Sequence, residues 1–320
     1  MVYLAESPIP QYVCSSNETE QNGTLIRINK AYEHIVYPTN CYYTLPSDGI
    51  QDGIHYYEFI FVEGNSFVGF TTKDHFADGF HIRGLFYGGT LSDGLASLGA
   101  FSRRTHQGDT VGLRIDLTKE KIKIYVHLNG RSLGLAFDVN RGNISALYPT
   151  VHTYDDALIR IRKLETFPTE TEYQPKVFSG IEGDFAFEQA VDNGKNVSTD
   201  GWKQFVLSLR KKPKLSNDTF QVYRLHFAVI NSINGFLIKN QNSKYEVKGV
   251  ESTLIGTYGE ALKAEAFVFK LISGLEDVVT NGDNLLIKSK SNTQLNLKRF
   301  TKPAPTAVTL NPILGEYNFG

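Results

Sequence analysis

The sequence predicts a two-domain protein, an all-β antiparallel sandwich followed by an α+β domain that holds one helix. Three observations carry this reading. The 320 residues exceed the usual size of a single domain. In the first half, apolar residues recur at every second position in short runs separated by turn-forming residues, the pattern of half-buried strands. The one convincing helical period, Glu260 to Asp277, falls in the second half.

The clearest strand signal is Gln107–Phe137. Val111, Leu113, Ile115 and Leu117 alternate with small or polar residues, and Thr118-Lys119-Glu120-Lys121 is turn-forming. Ile122, Ile124 and Val126 resume the alternation, Asn129-Gly130 supplies a tight-hairpin signal, and Leu133, Leu135 and Phe137 close a third strand. This stretch predicts an antiparallel meander with one wet face.

From Tyr3 to Asp48 the pattern is weak, with short apolar pieces at Gln11–Cys14, Leu25–Ile28 and Cys41–Leu45. Tyr56, Phe59 and Phe61 make a stronger run, Glu63-Gly64-Asn65 a turn, and Phe67–Phe70 the next strand. Thr71–Arg104 is rich in Gly, Asp and Ser and reads as long loops with short strands such as Leu85–Tyr87. Leu147–Val151 and Ala157–Arg162 follow the meander. Short strands with regularly spaced turns argue a sandwich.

These residues also carry a family resemblance. The ordered set Tyr56–Phe59, Val68–Asp74, Phe86-Tyr87-Gly88-Gly89, Gly108–Gly112, Asp116-Leu117, Asn129-Gly130, Leu133–Phe137 and Leu147-Tyr148-Pro149 resembles a SPRY domain over roughly residues 1–165. The resemblance implies an antiparallel β-sandwich used for protein–protein recognition, with a shallow pocket formed by loops at one end. Carried over residue by residue, it implies partner contacts at Thr72, Tyr87 and Tyr154. Tyr154 stands where one peptide-binding subgroup has tryptophan, so a different peptide, or no linear peptide, is open.

Glu165–Lys176, with two prolines and many carboxylates, reads as an interdomain linker, placing the domains at 1–164 and 177–320. Beyond it, Ile181–Phe187, Phe205–Leu209 and Gln221–Ile230 read as strands. Asn234-Gly235 reads as a turn into Phe236–Lys239, and Asn284–Lys288 with Gln294–Lys298 as a hairpin. On the helical wheel, Leu262, Ala264, Val268, Phe269, Leu271, Ile272 and Leu275 form the apolar side, with Glu265 in its middle. A carboxylate there needs partners. It reads as structural, bonded to backbone or to the hydroxyls of Ser252 or Thr253; the alternative is a ligand-binding or catalytic acid.

Arg224–Gly235, Glu251-Ser252-Thr253, Glu265 in an amphipathic helix, Gly282–Ile287 and Leu295-Asn296-Leu297 together resemble a META domain, found in trypanosomatid parasite proteins and a bacterial heat-shock-related lipoprotein. That resemblance implies an antiparallel sheet curled against one helix and no enzyme activity. The bacterial members' cysteine near the Ser-Thr element is absent, so only the scaffold is carried over. Separately, Ile181–Phe187 recurs in kind as Ile313–Phe319. Residues 313–320 read either as a last strand of the same sheet or as the start of a further repeat.

Composition narrows the function. With 41% hydrophobic and 21% charged residues and a net charge of −1, the chain has real cores but no footprint for nucleic acid or an anionic membrane. The basic run Arg210–Lys214 reads as a solvated loop. Neither a charged leader with an apolar segment nor a spanning-length apolar stretch is visible. The sequons at Asn17, Asn22, Asn143, Asn196 and Asn217 then reflect an Asn-rich surface, and a cytoplasmic monomer with Cys14 and Cys41 reduced is expected.

No nucleotide-loop, HExxH or GxSxG signature occurs, and the eight histidines are scattered. His75 and His81 share a loop with Asp74 and Asp78, which lacks a soft ligand and reads as recognition surface rather than a metal site. Neither catalytic residues nor metal ligands nor a cofactor are therefore expected. The expectation is an interaction adaptor whose partner, a protein or peptide, meets Thr72, Tyr87, Arg103, Arg104 and Tyr154, with Arg103 and Arg104 bonding carboxylates or carbonyls. Glycan binding by the sandwich and small-molecule binding beside Glu265 are the alternatives.

Overall fold

The computed structural model describes residues 49–76, 82–153, 157–229, 231–253, 259–311 and 313, with the backbone of strands at 15–20, 23–28 and 39–42. The chain divides into two units, Met1–Gln174 with Ala304–Gly320, and Pro175–Pro303.

The first unit runs β1 (Ser15–Glu20), β2 (Gly23–Ile28), β3 (Thr39–Tyr42), β4 (Gly53–Glu63), β5 (Phe67–Thr71), β6 (Gly84–Tyr87), β7 (Thr90–Ser92) and β8 (Ser97–Ala100). It continues with β9 (Thr110–Leu117), β10 (Lys121–Leu128), β11 (Arg131–Asn140), β12 (Tyr148–Thr153) and β13 (Ala157–Lys163). One sheet has the order β1-β2-β13-β4-β9-β10-β11 and the other β3-β12-β5-β6-β7-β8, all antiparallel. The two sheets share one core, since Phe59, Phe61, Val111, Leu113 and Ile115 of one cluster with Val68, Phe70, Leu85 and Val151 of the other. Each such fully buried side chain contributes roughly 1.5–3 kcal/mol.

The meander forms as its alternation predicts. β9 pairs β10 and β10 pairs β11, and Asn129 (φ 53°) and Gly130 (φ 77°) make the left-handed pair that matches the twist of the flanking strands. Pro149 lies inside β12 without breaking it, because it is registered only with Phe70 of β5, while pairing with β3 starts at Thr150. The glycine-rich segment holds more structure than its composition suggests, since β7 and β8 extend the second sheet beyond β6.

The segment from Glu165 is not a free linker. Phe167 stacks on Tyr56 at 5.4 Å, and the Glu170 carbonyl accepts a 2.8 Å bond from His127 Nε2. The Gln174 backbone N–H donates to Ser132 O at 2.9 Å, and its carbonyl accepts from Arg131. Tyr56 and His127 lie on the outer face of their sheet and need a cover, and this segment supplies it; both are 1% exposed.

The C-terminal stretch also departs from the expected boundary. Val308 bridges Phe137 in parallel, its backbone bonding Ala136 O and Asp138 N–H at 2.8 and 2.9 Å, and Asn311 donates to Asn140 O. Ile313 is fully buried in the sandwich core. Residue 313 therefore packs in the first unit's core; residues 314–320 lie outside the described residues.

The second unit contains β14 (Gly183–Asp192), β15 (Lys195–Val197), β16 (Val206–Lys211), β17 (Phe220–Ala228), β18 (Ser232–Asn240) and β19 (Tyr245–Ser252). α1 (Glu260–Ser273), β20 (Leu275–Asn281), β21 (Asn284–Ser289) and β22 (Thr293–Arg299) complete it. The sheet order is β19-β18-β17-β16-β14-β22-β21-β20 with β15 on β14, and it curls until β19 and β20 approach each other. α1 packs into the core with Phe187, Phe205, Phe227, Leu297 and the single tryptophan, Trp202, whose ring lies 5.3 Å from that of Phe267.

Three local expectations shift here. The helix ends at Ser273 because Gly274 passes against Ser289, where a Cβ would meet Oγ at 2.5 Å, and Leu275 then opens β20. Its buried stripe is Ala261, Ala264, Glu265, Phe267, Val268, Leu271 and Ile272, while Leu262 and Phe269 are 53% and 38% exposed. Asn234-Gly235 is not a turn: both lie inside β18, opposite His226 and Leu225, and Gly235 marks a register slip against β19.

Candidate functional site

The sandwich presents one strongly braced loop, Phe101–Asp109. Asp109, 7% exposed at the start of β9, is its hub. Its carboxylate receives a two-pronged bond from Arg103, Nη1 to Oδ2 at 2.7 Å and Nη2 to Oδ1 at 2.6 Å. The His106 backbone N–H donates at 2.8 Å and Asn129 Nδ2 at 2.9 Å. Burial alone would raise the Asp109 pKa, but the hydrogen bonds from Arg103, Asn129 and His106 outweigh it and hold the carboxyl below its ordinary value. Gly89 (φ +100°) lies under the loop, where a Cβ would stand 2.6 Å from Arg103 O and Arg104 Cα.

Tyr87 braces the same loop from within. Its ring is 1% exposed and meets Phe101 edge-on at 6.2 Å, and its hydroxyl and Ser102 Oγ share a 2.5 Å hydrogen bond. Burial pushes the phenol up to about 12. Tyr87 is therefore core, and the aromatic surface contact expected of it is corrected. The reason is the pairing of β6 with β5, which turns this ring between the sheets beside Leu91 and Phe101. Arg103 is half exposed but already engaged by Asp109, whereas Arg104 is exposed.

Thr72 lies elsewhere. Gly84 pairs with Thr71 and Tyr87 with Val68, so Thr72 and Tyr87 sit at opposite ends of the β5–β6 pair. That separates them by roughly 13 Å along the strand. The Thr72 hydroxyl is committed to its own turn, 2.7 Å from His75 Nδ1 and accepting the His75 backbone N–H at 3.2 Å. The expected single patch thus divides into a braced loop at one end and a capped turn at the other. Tyr154, Asp78, Phe80 and His81 lie outside the described residues. Among the described residues, no group of three or more His, Cys, Asp or Glu side chains could hold a metal ion.

In the second unit Glu265 is 7% exposed and faces Asn231, which donates its backbone N–H to Oε1 at 2.8 Å and Nδ2 to Oε2 at 3.1 Å. Thr253 Oγ1 donates to Asn231 Oδ1 at 3.1 Å, so the Ser-Thr element reaches the carboxylate one residue removed. Ser252 Oγ bonds the Thr253 carbonyl instead. The carboxylate ties the β17–β18 connection to the helix, which is a positioning task.

Two features escaped the sequence reading. Asp109 was visible only as the acid of Gly108-Asp109, and nothing local marks it as the acceptor of groups at 103, 106 and 129. The basic run at 210–214 did not announce that it borders a groove.

No family model and no curated protein matches this chain. Among solved structures it is similar to the SPRY domain of human HERC1, at 17% identity and a TM-score of 0.36, over 46% of this chain and 92% of that one. No helix among the described residues is long and apolar enough to cross a membrane.

Proposed function

We propose that the chain is a non-catalytic interaction module of the SPRY type that binds a protein or peptide partner through the loop end of the sandwich bearing Arg103, Arg104 and His106, with a META-like second domain alongside. The observation that carries this reading is the Asp109 hub. A loop that holds exposed cationic and polar side chains while its backbone is pinned loses little conformational entropy on binding, which is the property a recognition loop needs. In this reading Arg104 supplies charge-assisted bonds to partner carboxylates or carbonyls, Arg103 and Tyr87 hold it in place, Tyr154 is a secondary contact, and Thr72, at the far end of the β5–β6 pair with its hydroxyl engaged by His75, takes no part.

The test is proximity labelling with the wild-type chain, with Arg104→Glu and His106→Ala combined as a surface variant, and with Tyr87→Phe, which keeps the buried ring. The surface variant is expected to lose a defined subset of partners that Tyr87→Phe retains. Recovery of the same proteins by all three baits would overturn the assignment.

A further inference from the structure

The connection between β16 and β17 builds a second candidate surface, in the second unit. Lys212-Pro213-Lys214-Leu215 makes a 3-10 turn fixed at both ends. Lys212 N–H donates to Val222 O at 2.8 Å, Leu215 N–H to Lys212 O at 3.0 Å, and Val222 N–H to Ser216 Oγ at 3.0 Å. The Asn217 side chain accepts bonds from the Thr219 and Phe220 backbones at 2.8 and 3.0 Å. This is a fixed flap standing over the outer face of β17 and β18, and the groove between them has a volume of about 870 Å³.

The groove's chemistry is specific. Lys212 and Lys214 line it from the flap, Lys211 from the end of β16 and Arg224 from β17, against one carboxylate, Glu251. Arg210 takes no part, because Asp184 pairs it at 2.7 Å and Phe178 covers its guanidinium at 4.3 Å. The four lining cations have no carboxylate within ion-pair distance among the described residues. In a chain of net charge −1 they form a local concentration of unneutralised positive charge. Between them lie two apolar side chains left open to solvent, Leu215 at 52% and Phe236 at 38% exposure, and Phe236 stands directly across the strand pair from Arg224.

We infer that this groove docks an extended acidic peptide segment carrying an apolar side chain. The apolar residue would cover Leu215 and Phe236, and flanking carboxylates would neutralise Lys212, Lys214 and Arg224. Charge complementarity selects an anion, and the exposed apolar pair between the cations selects a peptide over a polyphosphate backbone, which has nothing to bury there.

The test is fluorescence anisotropy of the intact chain with a labelled decapeptide of glutamates interrupted by leucines. The same peptide with glutamine for glutamate, the same peptide with serine for leucine, a labelled single-stranded oligonucleotide, and phosphatidylserine vesicles complete the set. Saturable binding of the acidic leucine peptide is expected, weakened by either peptide substitution and by salt. Lys212→Glu, Lys214→Glu and Arg224→Glu each change an exposed or half-exposed side chain, and each is expected to weaken binding about tenfold, equivalent to ~1.4 kcal/mol. Phe236→Ala tests the apolar half with charge unchanged. No saturable binding, binding indifferent to the charge reversals, or tighter binding of the oligonucleotide or vesicles would overturn the inference.

Discussion

Removing the Asp109 carboxylate by Asp109→Ala tests whether the Phe101–Asp109 loop is braced as its geometry indicates. The substitution deletes the two-pronged Arg103 pair and the bonds from His106 N–H and Asn129. Arg103 is 51% exposed, so its ion pair is screened by water and contributes on the order of 0.5–1 kcal/mol. The bonds to the backbone and to Asn129 contribute about 1 kcal/mol each. The expected loss is about 2–3 kcal/mol, which for a domain of this size corresponds to a fall in Tm of roughly 5–10 °C. Calorimetry of the intact chain measures it, and hydrogen exchange of peptides covering β9–β11 identifies the sandwich transition.

A double-mutant cycle with Arg103→Ala isolates the ion pair, with an expected coupling of about 0.5–1 kcal/mol. The pH dependence carries its own sign. The folded pKa of Asp109 is depressed, so its contribution is present above the unfolded carboxylate value and lost as pH falls through the folded one. The gap between wild type and variant therefore narrows in acid. A Tm change under ~2 °C, with unaltered exchange across 101–108, would refute the hub, since each of these bonds is a candidate for at least that effect.

Glu265→Ala should destabilise the second unit by about 2–4 kcal/mol, because it strands both Asn231 donors in a buried site; urea unfolding followed by Trp202 fluorescence reads it, and an unchanged midpoint would show the pair to be incidental. His152 is 1% exposed between Phe67 and Phe86, and burial lowers its pKa to about 4. The unfolded chain takes up this proton first, so the sandwich should lose stability as pH falls from the ordinary histidine value toward 4, and His152→Phe should flatten that slope in pH-dependent denaturation. A chain ending at Pro303 loses Val308 and the buried Ile313, and its sandwich should melt lower by the equivalent of about 2–5 kcal/mol, while the second unit's urea midpoint stays unchanged.

The elements with strict period were legible, and for a physical reason. Ile122, Ile124 and Val126 alternate because one face of β10 is buried in the core while Lys121, Lys123 and Tyr125 on the other stay half-buried, and Asn129-Gly130 can turn because both residues accept positive φ. The helix was legible for the same reason, although its end depended on Gly274 meeting Ser289, a neighbour distant in sequence. Asn234-Gly235 misled because a dipeptide that permits a turn does not require one; pairing with β17 kept it in the strand.

The sequence by itself determined the antiparallel β class, the meander, the helix and the need of Glu265 for partners, because each depends on the burial demands of neighbouring residues. Tertiary structure alone decided that Tyr87 is core, that Thr72 and Arg103 stand at opposite ends, that Asp109 gathers donors from 103, 106 and 129, and that Ile313 returns to the first unit. These are contacts between residues far apart along the chain. A local pattern records which side chains seek burial or a partner, and only the closed sheets determine which partner each one meets.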